Sequence, residues 1–144
     1  SHELHSSILQ HVGLPAALNS YCAEFSDREG IVVSLDIQDG VDALSPDVAL
    51  CLYRVAQESL RNVARHSGAR SAVVALAGVN GAIELRIADQ GVGFDPGQAR
   101  EGRGIGLVSM EERVKLLRGN LVLTTQPGAG TELRAQIPLR GEHE

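Results

Sequence analysis

Residues 45 to 68, SPDVALCLYRVAQESLRNVARHSG, constrain the fold more than any other segment of this chain. Ser45 is a favoured N-cap residue, and Pro46 suits the first helical position, where a missing N–H removes no hydrogen bond. Gly68 supplies the stop. The apolar residues between these signals recur at helical spacing, so the run from Pro46 to Ser67 predicts the longest helix in the chain. Strand patterns flank it. IVVSLDI at 31–37 is rich in β-branched residues, and AVVALAG and AIELRIAD enclose Asn80-Gly81, a pair that closes tight hairpins. NLVLTTQ and TELRAQIPL form a last hairpin around PGAG.

Two further helices complete the order. Leu14, Ala17, Leu18, Tyr21, Cys22 and Phe25 share one helical face over residues 14–29, which Gly30 ends; a third helix runs from about Leu107 to Leu117, with Gly119 and Asn120 as its stop. Strands that follow one another as hairpins, with helices inserted between groups, predict an α/β fold. The expected architecture is a two-layer sandwich, its mixed and mostly antiparallel sheet covered by helices on one face.

The totals bound the rest. A chain of 144 residues fits one domain with one core, and two Phe, two Tyr and no Trp leave that core to Leu, Val, Ile and Ala. A formal charge of −5 weighs against a nucleic-acid surface, which relies on clustered Lys and Arg, but not against a small anionic ligand. No apolar run approaches a membrane span, and residues 1–30 show no secretory-signal pattern. Cys22 and Cys51 stand alone in helical patterns, as reduced thiols of a cytoplasmic protein do.

Three clusters carry candidate chemistry. In QESLRNVARH, Glu58 and Asn62 are four residues apart and so stand one turn above the other, with Arg54 and Arg65 near the same stripe. Both offer oxygen lone pairs to a hard cation such as magnesium; the plainer reading is a solvated face with an Arg54–Glu58 pair. In ADQGVGFD, Asp89 ends a strand before Gly91 and Gly93. A carboxylate there can accept from an exocyclic amine while the glycines let a flat base approach, although Asp and Gly also suit an ordinary turn. In EGRGIGLVSMEERVKLLRG, Gly102, Gly104 and Gly106 precede a helix N-terminus, where unpaired N–H groups favour an anion. The last stretch fails the P-loop and dinucleotide patterns: no Gly-Lys-Ser/Thr follows, and Leu107 stands where the final glycine of G-x-G-x-x-G belongs.

The order of these clusters, Glu-x-x-x-Asn on a long helix, Asp-x-Gly-x-Gly after a strand, Gly-x-Gly-Ile-Gly-Leu before a helix and Gly-Thr opening a strand, resembles the ATP-binding catalytic domain of bacterial sensor histidine kinases. That fold is shared with gyrase B, heat-shock ATPase chaperones and mismatch-repair ATPases. The resemblance runs from about Gly13 to Leu139, and LYRVAQESLRNVARHSGA and GLVSMEERVKLLRGNL look most like the nitrate-sensor type, which partners helix-turn-helix response regulators. It implies ATP and Mg²⁺ as ligands, with Asn62 on the metal, Glu58 organising the metal site or acting as a base, and Arg65 and His66 near the phosphates. His66 equally suits a helix C-terminal cap. The resemblance also implies that Asp89 bonds the adenine amine and that Gly91, Gly93 and Thr131 shape the base pocket. Gly102, Gly104, Ile105, Gly106 and Leu107 would form the edge of a short lid over the phosphates.

The phosphoacceptor departs from the family. His2-Glu3 imitates the usual histidine–acid pair, yet lies too near Gly13 for a helical hairpin to intervene. Residues 1–12 therefore read as the end of a dimerisation helix, 13–140 as the catalytic domain and 141–144 as a tail. The expected partners are ATP, a dimerisation and phosphoacceptor domain absent from this chain, and a response regulator, with no direct nucleic-acid or membrane contact and a cytoplasmic location. A serine kinase of the anti-sigma-factor type and a nucleotide-binding module without transfer activity are the alternatives.

Overall fold

The computed structural model describes residues 2–39, 41, 43–93 and 106–139. Within them run α1 (His2–His11), α2 (Leu14–Glu29), β1 (Val32–Ile37), α3 (Pro46–Asn62), a π turn (Val63–Ser67), β2 (Ser71–Val79), β3 (Ala82–Asp89), α4 (Leu107–Leu116), β4 (Asn120–Thr125) and β5 (Thr131–Pro138). The five strands form one sheet in the order β1-β2-β3-β5-β4. Only β1 and β2 are parallel, because α3 is the crossover between them; the remaining pairs are antiparallel neighbours.

Local chemistry sets the boundaries. Ser45 Oγ accepts the Val48 N–H at 3.4 Å and Pro46 opens α3, while Gly30 closes α2 in the left-handed conformation with its N–H on Ser26 O. Asn80 and Gly81 both take positive φ, 52° and 78°, as the primed turn between β2 and β3 requires. Two details differ from the sequence pattern. The long helix keeps α geometry to Asn62 and then widens into the π turn before Gly68. At the end of α4 it is Arg118, not Gly119, that adopts positive φ, at 65°. Gly119 is needed for a different reason: a Cβ there would collide with the Gln136 carbonyl of β5.

Alternation places the core. Ala72, Val74 and Leu76 of β2, Ile83, Leu85 and Ile87 of β3, and Leu133, Ala135 and Ile137 of β5 turn one face of the sheet toward the helices. Against them α3 lays Leu52, Val55, Ala56 and Leu60, α2 lays Leu18 and Phe25, and α4 lays Leu107, Met110 and Val114. The other face carries Glu84, Arg86, Glu132 and Arg134 at its centre, beside the partly exposed Val73, Ala75 and Val122. Arg86 pairs with Glu132 at 3.5 Å, Arg134 with Glu132 at 3.1 Å and with Glu84 at 3.7 Å, so it needs no second helical layer. Both cysteines are buried thiols.

Candidate functional site

The period of two that buries Ile83, Leu85 and Ile87 carries Asp89 onto the same face, under the helices, where only 8% of it is exposed. Asp89 stands directly opposite Thr131, and Thr131 opposite Thr125. Three polar side chains thus form a row across β3, β5 and β4 at one end of an otherwise apolar face. The Thr125 and Thr131 hydroxyls are 2.9 Å apart. Burial pushes the Asp89 carboxyl above its usual range, opposed by the Gly91 N–H, which donates to Oδ1 at 2.7 Å.

The end of α3 closes over this row. The Ser67 hydroxyl donates to Val63 O and accepts from Ala69 N–H, both at 2.9 Å, and its carbonyl accepts the Val92 N–H at 2.8 Å. This ties the π turn to the loop after β3. Gly91 permits the approach, since any Cβ there would strike the Ser67 carbonyl; Gly93, at φ 68°, would likewise strike Gln126 O. Between helix and sheet lies a hollow of about 30 Å³, into which Asn62, Asp89 and Thr131 face along with Leu107, Met110 and Leu133. It has room for roughly one water.

A second hollow adjoins the first. Glu58 and Gly106 line a basin of about 440 Å³, and their chain neighbours Ser59 and Leu107 line the smaller hollow; Met110 borders both. Gly106, the N-terminal cap of α4, has φ 67°, and a Cβ on it would come within 2.7 Å of Glu58 Oε2. The Arg54–Glu58 pair does not form. Glu58 Oε1 instead lies 3.9 Å from Arg61 Nε.

The structure therefore brings Glu58, Asn62, Asp89, Gly106, Leu107 and Thr131 to two contiguous hollows; Gly91 holds Asp89 from behind, and Gly93 packs against Gln126 and Gly130 without lining either. It does not bring Arg65 or His66 there. Arg65 lines a groove with Tyr21, Phe25 and Arg28 of α2, and His66 is exposed on the π turn. Both follow Asn62, where the change to π geometry reduces the rotation per residue and takes Arg65 off the Glu58–Asn62 stripe. Gly102, Gly104 and Ile105 lie outside the described residues. Sequence reasoning missed Ser59, Ser67, Thr125 and Met110. Of these, Thr125 was findable: it continues the core-facing alternation of Leu121 and Leu123 and so interrupts an apolar row.

Metal chemistry fits this donor set in one form only. Among the described residues no group of three or more His, Cys, Asp or Glu side chains could hold a metal alone. Asn62 and Glu58 supply two hard oxygen donors one turn apart, which suits Mg²⁺ held jointly with substrate phosphates.

Known proteins resemble this chain in sequence and fold. Over 140 residues the chain is 41% identical to the sensor histidine kinase MctS of Rhizobium johnstonii, covering 96% of this chain and 30% of that one. It is 33% identical over 141 residues to the signal transduction histidine-protein kinase/phosphatase DegS of Brevibacillus brevis, covering 98% and 36%. The chain thus spans about a third of the length of these curated relatives. Among solved structures, the histidine kinase domain of the Erythrobacter litoralis EL346 blue-light activated histidine kinase superposes with a TM-score of 0.70 at 24% identity, covering 88% of this chain and 61% of that one. The Acinetobacter baumannii histidine kinase AdeS gives 0.69 at 17%, covering 89% and 64%; at such identities the likeness is one of fold. The family model for histidine kinase-, DNA gyrase B- and HSP90-like ATPases matches residues 47–141, the span that contains α3 from Asp47 onward, the Asp89 row and α4. With that match, and with the helix stripe and sheet-end row meeting at one cleft, the chain belongs to the histidine kinase-, DNA gyrase B- and HSP90-like ATPase family.

Proposed function

We propose that this domain binds Mg-ATP and, within its parent protein, presents the γ-phosphate to a histidine of a dimerisation segment that then serves a helix-turn-helix response regulator. The observation that carries the reading is the shared hollow of Asp89 and Asn62, 27 positions apart in sequence but facing one space. Asp89, with one oxygen held by Gly91, offers a fixed acceptor for an exocyclic amine at the sheet end. Thr131, positioned by Thr125, stands beside it.

Asn62 and Glu58 follow along the helix, where a triphosphate leaving the base pocket would run. A bound Mg²⁺ would neutralise phosphate charge there. The protein's own contribution is to fix the base, order the phosphate chain and exclude water, which is how phosphoryl transfer is largely catalysed. A purine needs more room than this hollow offers, so side chains that line it must yield when the base enters, and Leu107 and Met110 are among them. Both belong to α4, which begins at Gly106 beside Glu58.

Residues 1–12 fit the end of a dimerisation helix in this reading. α1 is docked on α2 through His5, whose ring bonds Glu24 and lies 3.0 Å from Ser20 Oγ. The test is titration with a fluorescent ATP analogue, with and without Mg²⁺. Saturable, Mg²⁺-dependent binding is expected, and none would defeat the proposal. Supplying the parent's dimerisation segment with radioactive ATP should give an acid-labile phosphohistidine; an acid-stable phosphoserine would establish the serine-kinase alternative instead.

A further inference from the structure

The basin beyond Glu58 carries chemistry that the base-and-metal reading does not use. α3 turns Arg54, Glu58 and Arg61 into it, and α4 faces them with Gly106, Met110 and Arg113. Both sets recur at three- and four-residue intervals, so each is a single stripe on its helix. Arg28 and Glu24 of α2 and His5 of α1 close the far wall. Among the described residues that line it, four arginines stand against two glutamates, in a chain whose formal charge is −5.

The arginines are not equivalent. Arg61 lies 3.9 Å from Glu58, and Arg28 bonds Glu29 at 3.1 Å and covers the Phe25 ring. Among the described residues, Arg54 and Arg113 take part in no ion pair, and both are exposed. Among the described residues, two guanidinium groups on different helices thus line one basin without an ion pair of their own. A guanidinium is a fork that matches the oxygens of a phosphate, and charge-assisted bonds of this kind are among the stronger ones available to a protein.

Their place along the cleft selects which phosphate. Asn62, Glu58 and Arg54 stand on successive turns of α3, so Arg54 lies about 12 Å from Asn62 along the axis at 1.5 Å per residue. The sheet-end row is at the Asn62 end and the arginines at the other. We infer that Arg54 and Arg113 are specificity-determining residues that grip the terminal phosphate of the nucleotide, so that this domain distinguishes ATP from ADP by charge recognition in the basin. The inference rests on the nucleotide reading above and adds to it a pair of positioning residues on the helix faces, outside the glycine-rich lid.

The test is calorimetric titration of this chain with Mg-ATP and with Mg-ADP, in the wild type, Arg54→Gln, Arg113→Gln and the double variant. Both side chains are exposed, so thermal melting should be unchanged and serves as the folding control. The wild type should bind ATP more tightly than ADP. Each replacement should weaken ATP about tenfold, the size of a lost charge-assisted hydrogen bond, and leave ADP within about twofold. In the double variant the preference should vanish. Lysine replacements should restore part of it, since the charge returns without the fork. An unchanged ATP-to-ADP ratio overturns the inference, as does an equal loss of both nucleotides, which marks the arginines as structural. A wild type that binds neither nucleotide is a separate outcome: it defeats the nucleotide reading itself and this inference with it.

Discussion

Replacing Asp89 by Asn should strengthen the fold and weaken the site, two effects of opposite sign from one atom exchange. Asp89 is 8% exposed among Ile87, Leu107, Leu123 and Leu133, and its carboxylate is held by the Gly91 N–H. Burial raises its folded pKa above the unfolded value of about 4. Between those two values the folded state binds more protons than the unfolded one, so stability falls as pH rises through that window. The penalty is complete above the folded pKa and absent below the unfolded one. An amide carries no such charge, and relief of partly compensated desolvation is worth about 1 kcal/mol, or roughly 3 °C in melting temperature for a domain of this size. The gain should narrow between pH 7 and pH 4.5.

The same variant should lose nucleotide. With Gly91 keeping the Asn oxygen, the amide must turn its NH₂ toward the position of the second carboxylate oxygen, so a donor meets the donor of the base amine. The cost is a charge-assisted hydrogen bond, about 1.5–3 kcal/mol, or ten- to a hundredfold in affinity. Differential scanning fluorimetry at the two pH values and titration with Mg-ATP give both readouts. A lower melting temperature at pH 7, a gain independent of pH, or unchanged ATP affinity would each refute the reasoning.

Two further outcomes follow from local geometry. Gly106→Ala should destabilise the domain by at least about 1 kcal/mol in denaturant titration, because its φ of 67° is strained for alanine and the new Cβ would press on Glu58 Oε2 at 2.7 Å. Cys22, its thiol pushed up to about 12 by burial, should resist iodoacetamide at pH 8 in the native protein and react once urea unfolds it, as a timed mass-spectrometric labelling experiment would show.

The elements were legible in the sequence because their signals are local. Ser45 with Pro46, Gly30, Gly68 and the Asn80-Gly81 turn act within a few residues of themselves, and the runs around the turns marked β2, β3, β4 and β5 as hairpin strands. Glu58 and Asn62 could be paired in advance because a helix fixes the four-residue neighbour. Where the reading strayed, a distant atom had decided. Gly119 looked like the stop of α4, but its lack of a side chain answers to the Gln136 carbonyl, and Arg118 takes the left-handed turn.

What the chain determined by itself is therefore the order of strands and helices and which side of each is apolar, since those depend on backbone preference and on neighbours close in sequence. Tertiary structure alone decided which polar side chains meet. The register of β3, β5 and β4 sets Asp89, Thr131 and Thr125 in one row, and the π turn removes Arg65 from the Glu58 stripe. The packing of α4 across α3 gathers Arg54 and Arg113 around one basin. Those contacts arise from shape and register between segments far apart in the chain, and neither is encoded in any single stretch of it.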